Sequence, residues 1–227
     1  MNFPILSAIV LIPLVAGLIL LCLPADRRAW VRGTALTAAT LVLGLALVLY
    51  LRYDVRVGGY QFIERYPWLP DLGISYAVGV DGFSLPMVLL GALVLFSGVL
   101  VSWNVEERPR EFFAFMMFLA TSILGVFISL DLFLLFFFFE IAVFPKYLMI
   151  VLWGYPKTRD YGGMKLTLYL FIGSVLALVG ALALYFNSGL RTFDLLALEK
   201  AGFGVDFQRF WFPFIFLGFA VLGGIFP

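Results

Sequence analysis

The chain contains no histidine and a single cysteine, Cys22. The first absence excludes most haem, copper and histidine–zinc sites within the chain, and any imidazole base. The second excludes an internal disulfide and a cysteine cluster. Charge is also scarce. Only 13% of the 227 residues are Asp, Glu, Lys or Arg, against about 25% in soluble domains. The net charge of +1 leaves no electrostatic footprint for nucleic acid. No glycine-rich phosphate loop and no nucleophile–base pairing is present, so no redox or hydrolytic centre is expected here, and neither a cofactor-binding nor a metal site. The N-terminus lacks a basic region before its first apolar run. That run is expected to be retained rather than cleaved as a signal peptide.

What the chain does have is apolar sequence. Hydrophobic residues make up 63%, and the mean hydropathy is +1.07. The expected fold is an all-α polytopic membrane protein. Six complete spans are predicted, near Ile5–Leu23, Thr34–Leu51, Gly82–Trp103, Phe112–Ser129, Asp131–Trp153 and Gly163–Phe186. Each has roughly the 20 residues a membrane helix needs. A seventh, broken or truncated span begins near Phe210. Between spans two and three, residues 52–81 hold Gly58, Gly59, Pro67, Pro70 and Gly73 around two strand-like runs. They predict a short hairpin on the outer surface. Asp81 or Ser84 is placed to cap the third span. The expected division is 1–111, with the outer loop, and 112–227, the first part of a repeat.

Basic residues are denser in the short loops Pro24–Arg32, Asn104–Glu111 and Gly154–Gly162 than in the longer loops opposite. The positive-inside rule then puts the N-terminus on the outer side.

The stretch Leu132–Trp153 places Glu140 behind eight consecutive apolar residues. An ionised Glu near a bilayer centre costs roughly 2.5–3.5 kcal/mol on insertion scales. A simple anchor has no use for that cost, so Glu140 reads as a functional carboxylate. At 1.5 Å of rise per residue it lies about 13 Å from Asp131 and about 20 Å from Trp153. Pro145, one turn on, disturbs the local hydrogen bonding. Lys146 lies six residues on and points roughly 120° away on a continuous helix, so it is not a same-face partner. It is expected to snorkel toward the interface near Trp153. Lys165 opens the sixth span, where an interfacial anchor is the plain reading. Asp131 is expected to favour the N-terminus of its helix. Thr167 and Ser174 read as packing hydroxyls, and Phe136–Phe139 as packing or lipid-facing rings. In the last span, Pro213, Gly218, Gly223, Gly224 and Pro227 fit either an interrupted helix lining an ion path or a tight-packing face.

Glu140, Pro145 and Tyr147, then Trp153-Gly154, Arg159, Tyr161, Lys165, Leu168, Tyr169 and Gly173-Ser174, follow one another in an order and spacing that resembles a known family. So does the entry to the third span, Tyr76 to Ser84. The family is the antiporter-like chain M (chain 4) of proton-pumping NADH–quinone oxidoreductase, respiratory complex I. The resemblance covers much of Tyr76–Ser174 and implies the N-terminal half of such a subunit. It implies proton translocation through a buried Glu/Lys relay, driven by redox in distant subunits. Glu140 maps to the essential mid-membrane Glu, and Lys165 to a less central Lys. The family's Lys in the broken seventh helix falls on Leu222, a departure that leaves Lys146 as a displaced candidate partner. NADH, FMN, Fe–S clusters and quinone are then expected in partner subunits, with neighbouring antiporter-like chains and lipids as contacts. The apolar run stops without a polar tail. The sequence thus reads as split or partly represented, with the C-terminal half of the subunit as a further partner. A bacterial plasma membrane is the expected location. The alternatives are a subunit of a multisubunit cation/proton antiporter or of a proton-pumping hydrogenase, and a non-catalytic scaffold or broken-gene remnant.

Overall fold

The computed structural model of the chain describes residues 3–24 and 26–225. In order the elements are α1 (Ile5–Cys22), α2 (Arg28–Arg52), β1 (Gln61–Leu69), β2 (Ile74–Val80), α3 (Ser84–Val101), α4 (Pro109–Ile128), α5 (Leu132–Ile141), α6 (Val143–Trp153), α7 (Arg159–Asn187), α8 (Leu195–Glu199) and α9 (Val205–Leu222). Among the described residues, six helical stretches are long and apolar enough to cross a membrane: α1, α2, Ser84–Asn104, α4, Leu132–Trp153 and α7. A helix satisfies its own backbone polar groups, which is the condition for residence in lipid.

Several boundaries differ from the sequence expectation. α2 starts at Arg28 rather than near Thr34, because its first turn buries Val31 fully. α9 starts at Val205 rather than near Phe210 and runs through Pro213. The fifth span carries an interruption of its helical hydrogen bonding at Ala142, where α5 ends and α6 begins while the backbone stays right-handed helical. A short helix, α8, stands in the second polar stretch, where none was expected.

The chain forms two compact units, residues 1–64 with 78–129, and residues 65–77 with 130–227. α4 belongs to the first of these units. The reason lies in α4 itself, which packs on α1, α2 and α3 and buries Phe113, Met117 and Leu124 completely or nearly so.

In the first unit α1 and α4 approach closely at Gly17, where a Cβ would come within 2.6 Å of the Phe118 ring. The free N-terminal amides of α1 are taken up by Glu64, whose carboxylate accepts from the N–H groups of Leu6 and Ser7 and from the Ser7 hydroxyl. Asp81 and Ser84 share the start of α3. Asp81 accepts from the Phe83 and Ser84 N–H groups, while Ser84 Oγ accepts from the Asp81 N–H. Burial alone would raise the Asp81 pKa, but these bonds from Ser84 and Phe83 outweigh it and hold the carboxyl below its ordinary value. A lowered native pKa means the cap stabilises above the ordinary carboxylate range and is lost as pH falls through the native value.

In the second unit α7 and α9 pack on each other through small residues. A Cβ on Gly218 would come within 2.6 Å of the Ala177 backbone nitrogen, and one on Gly180 within 2.3 Å of Ile215. Gly218 is thus a packing glycine. Gly223 and Gly224 end α9, with Gly224 at φ +72° and the Ile225 N–H reaching back to the Ala220 carbonyl. That bond fits a left-handed glycine stop. Pro227 lies outside the described residues.

The hairpin expected between spans two and three is present. β1 and β2 pair, joined by the turn Pro70–Leu72 and Gly73. In the second unit its tip is seated on residues 191–193. The N–H of Phe193 donates to the Gly73 carbonyl. Gly73 has φ +65°, and a Cβ there would lie 2.0 Å from the Arg191 carbonyl oxygen. Gly73→Val is therefore expected to lift the tip off this seat, at a cost of about 1–3 kcal/mol or more. Limited proteolysis at residues 70–73 checks this. Cleavage at the native rate would contradict the assigned contact.

Candidate functional site

Glu140 occupies the last full turn of α5, two residues before the break at Ala142. The break has a local cause. Pro145 carries no N–H and cannot donate to the Ile141 carbonyl, four residues back. Ala142 instead closes a tighter turn, its N–H donating to the Phe139 carbonyl at 3.1 Å. The next bond, from the Lys146 N–H to the Ala142 carbonyl, is stretched to 3.3 Å.

The Glu140 side chain is half-buried. Its Oε1 is fully covered and has no hydrogen-bond partner among the described residues. A covered, unpartnered carboxylate oxygen costs free energy in either protonation state. Adjacent Phe139 packs with Val143, Leu166, Leu170, Ala177 and Phe219 in an apolar cluster of the second unit.

Neither lysine pairs with it. Among the described residues, Glu140 forms no ion pair. Lys146 is half-buried and does not extend toward Trp153 as expected. Its Nζ lies 5.6 Å from the centroid of the Phe139 ring. The physical reason is the direction of helical side chains, which lean toward the helix N-terminus. The favourable ring face of Phe139 then holds the ammonium. Lys165 is exposed, with Nζ 5.7 and 5.8 Å from the Tyr161 and Tyr169 rings. Thr167 and Ser174 each donate to a carbonyl of their own helix, Gly163 and Leu170. They are self-satisfied packing hydroxyls. Leu222 is the last residue of α9, and no lysine stands at that position.

The strongest polar cluster of the second unit lies at the other end of α5. Asp131 is 0% exposed. One oxygen accepts from the Phe133 and Leu134 N–H groups, capping α5. The other accepts from the N–H and hydroxyl of Ser75 in β2. Asp131 is bridged by its backbone to Asp194. Asp194 in turn caps α8 and pairs with Arg65 at 2.6 Å. Capping by Asp131 agrees with the sequence expectation. The partnership with Ser75, 56 residues away, was beyond it. Asp194 is a further capping residue, and an Asp before a run of leucines is a readable cap signal.

A mostly helical chain with six helical stretches long and apolar enough to cross a membrane, among the described residues, defines the class: a polytopic membrane protein. Residues 129–227 match the family described as NADH:quinone oxidoreductase/Mrp antiporter, TM. More particularly, the chain is similar to NAD(P)H-quinone oxidoreductase chain 4. It is 36% identical to chain 4-2 of Synechocystis over 100% of its own length and 40% of that protein's. It is 37% identical to chain 4 of Gloeobacter violaceus over 99% of its own length and 42% of that protein's. Among solved structures, it resembles a chain of respiratory complex I from Thermus thermophilus with bound NADH. The TM-score is 0.81 at 33% identity, covering 97% of this chain and 43% of that one. The resemblance read from the sequence is thus borne out. The chain spans less than half the length of the relatives it matches.

Proposed function

We propose that this chain is the N-terminal part of a proton-translocating membrane subunit of an NADH–quinone oxidoreductase. The observation that carries the reading is Glu140, with one covered and unpartnered oxygen, beside the break in Leu132–Trp153. A carboxyl there takes up a proton when its surroundings become more negative and releases it when a cation approaches. Redox in distant subunits supplies the electrostatic change, and NADH, FMN, Fe–S clusters and quinone belong to those subunits. Glu140 holds and passes the proton. Lys146, against Phe139 next to Glu140, is the nearest candidate in sequence for tuning it, and Lys165 is a more distant one. Pro145 opens the backbone beside the carboxyl, and Gly223 and Gly224 interrupt the path of α9. In this reading α9 is the first half of a broken seventh span, completed by the C-terminal part of the subunit. The hairpin and the N-terminus lie on the outer side of a bacterial plasma membrane, and the subunit sits among other antiporter-like chains.

Deleting the segment corresponding to this chain in its host complex, with the peripheral redox subunits retained, tests the reading. Vesicles should then move fewer protons per electron pair delivered to quinone, measured by dye quenching against quinone reduction. An unchanged ratio would overturn it.

A further inference from the structure

We propose that the groove between α1 and α2 holds an acyl chain of an anionic glycerophospholipid, with its phosphate at Arg27 and Arg28. The groove has a volume of about 770 Å³ and is lined by apolar residues, with Thr34 and Thr37 the only hydroxyls. Small residues, Ala16, Gly33 and Ala38, line it together with larger ones such as Val15 and Leu41. The size is that of a small-molecule site, about 300–1,000 Å³.

Two features select a lipid over a helix of a neighbouring protein. The first is length. The α2 lining runs from Ala29 to Leu41, about 18 Å of helix. α2 itself continues eleven residues further, to Arg52. A hydrocarbon core of about 30 Å gives each leaflet about 15 Å. The groove thus starts at the α1–α2 turn and stops near mid-membrane. A helix packed on α2 can continue past mid-membrane, whereas an acyl chain ends where its leaflet ends. The second feature is charge at the mouth. Arg27 and Arg28 are exposed and form no ion pair among the described residues. Asp26 is the one acid in this turn, and Arg32 is turned away onto the Trp103 ring. Trp30, 62% exposed, stands at the same end and lines the groove. Tryptophan favours the depth of the headgroups. Arg27 and Arg28, immediately before the groove-lining Ala29 in the chain, offer a phosphate at that depth guanidinium donors for directed hydrogen bonds.

The test uses native membranes that hold the whole complex. Phosphatidylglycerol carrying a photoreactive group in its acyl chain is irradiated, and labelled peptides are mapped. Phosphatidylcholine with the same chain serves as the comparison. We expect label within residues 11–41, favouring the anionic probe. In Arg27→Gln/Arg28→Gln, labelling by the anionic probe should fall roughly tenfold, and labelling by the zwitterionic probe should hardly change. In Gly33→Leu, labelling by both should fall. A Cβ at Gly33 meets no atom within 4 Å, so that variant fills the groove without disturbing the helices. It carries the test alone if the arginine variant fails to assemble. Equal labelling by the two probes in the native protein would overturn the proposal. So would labelling that Gly33→Leu leaves unchanged, or a protein–protein cross-link at this groove in place of lipid.

Discussion

Replacing Glu140 with Gln is expected to leave the complex assembled and to lower proton-coupled quinone reduction on the order of 10²-fold. The amide keeps the size and shape of the carboxyl, so the packing of Phe139 with Leu170 and Phe219 is preserved. It removes the titration and the negative charge. Insertion is not impaired, because an ionised Glu at that depth is itself a cost of roughly 2.5–3.5 kcal/mol. Nor does Gln break an existing ion pair, since Glu140 has none among the described residues. A structural carboxylate would behave in the opposite way, losing assembly before activity. Glu140→Asp keeps the proton but withdraws it by one methylene from the covered site, and is expected to retain part of the rate. The measurement is quinone reduction by the intact complex, with dye quenching in vesicles and a native gel for assembly. Wild-type rates in Glu140→Gln would remove Glu140 from the proton path.

The second large effect is structural. Asp131→Ala should lower stability by about 2–4 kcal/mol, read as the unfolding midpoint of the detergent-solubilised complex. Two contributions add. Loss of a helix N-cap costs about 0.5–2 kcal/mol, and a buried donor left without a partner about 1–3 kcal/mol. Asp131 serves four donors, the N–H groups of Phe133, Leu134 and Ser75 and the Ser75 hydroxyl. With 0% exposure, no water replaces it. Asp131→Asn should fall between, because its amide oxygen can keep the α5 cap while its NH₂ cannot accept from Ser75. Ser75→Ala removes only the hydroxyl donor and should cost least. An unchanged midpoint in Asp131→Ala would show that the start of α5 is held by other contacts. Loss of this tie also frees the α5 N-terminus, nine residues before Glu140, so some loss of rate should accompany the loss of stability.

Much of this was readable from the chain alone. The six spans follow from apolar runs of membrane length, because lipid tolerates only a backbone that satisfies itself. Glu140 stood out for the same reason that makes it costly, a carboxylate inside such a run. Asp81, Ser84 and Asp131 announced themselves as caps, because capping is a matter of a few residues along the chain. The hairpin was marked by its turn residues. The break at Ala142 was half legible. Pro145 signalled a disturbance, but not that the helical hydrogen bonding would be interrupted two residues after Glu140.

Other features were decided only in three dimensions. Glu64 lies 58 residues from the α1 amide of Leu6 that it satisfies, and nothing near it in sequence points there. The boundary at 129/130 depends on which face α4 buries, a property of packing rather than of composition. Whether Lys146 leans toward the interface or onto Phe139 is a rotamer choice made by its neighbours. Membrane-length apolar runs, and a carboxylate inside one of them, could be read from the chain alone, since the cost of charge in lipid depends only on local composition. The tertiary structure decided what surrounds that carboxylate. Among the described residues it left one Glu140 oxygen covered and unpaired beside the interruption at Ala142, and tied the far end of its helix to Ser75. Both depend on contacts between segments distant in the chain, which no local pattern records.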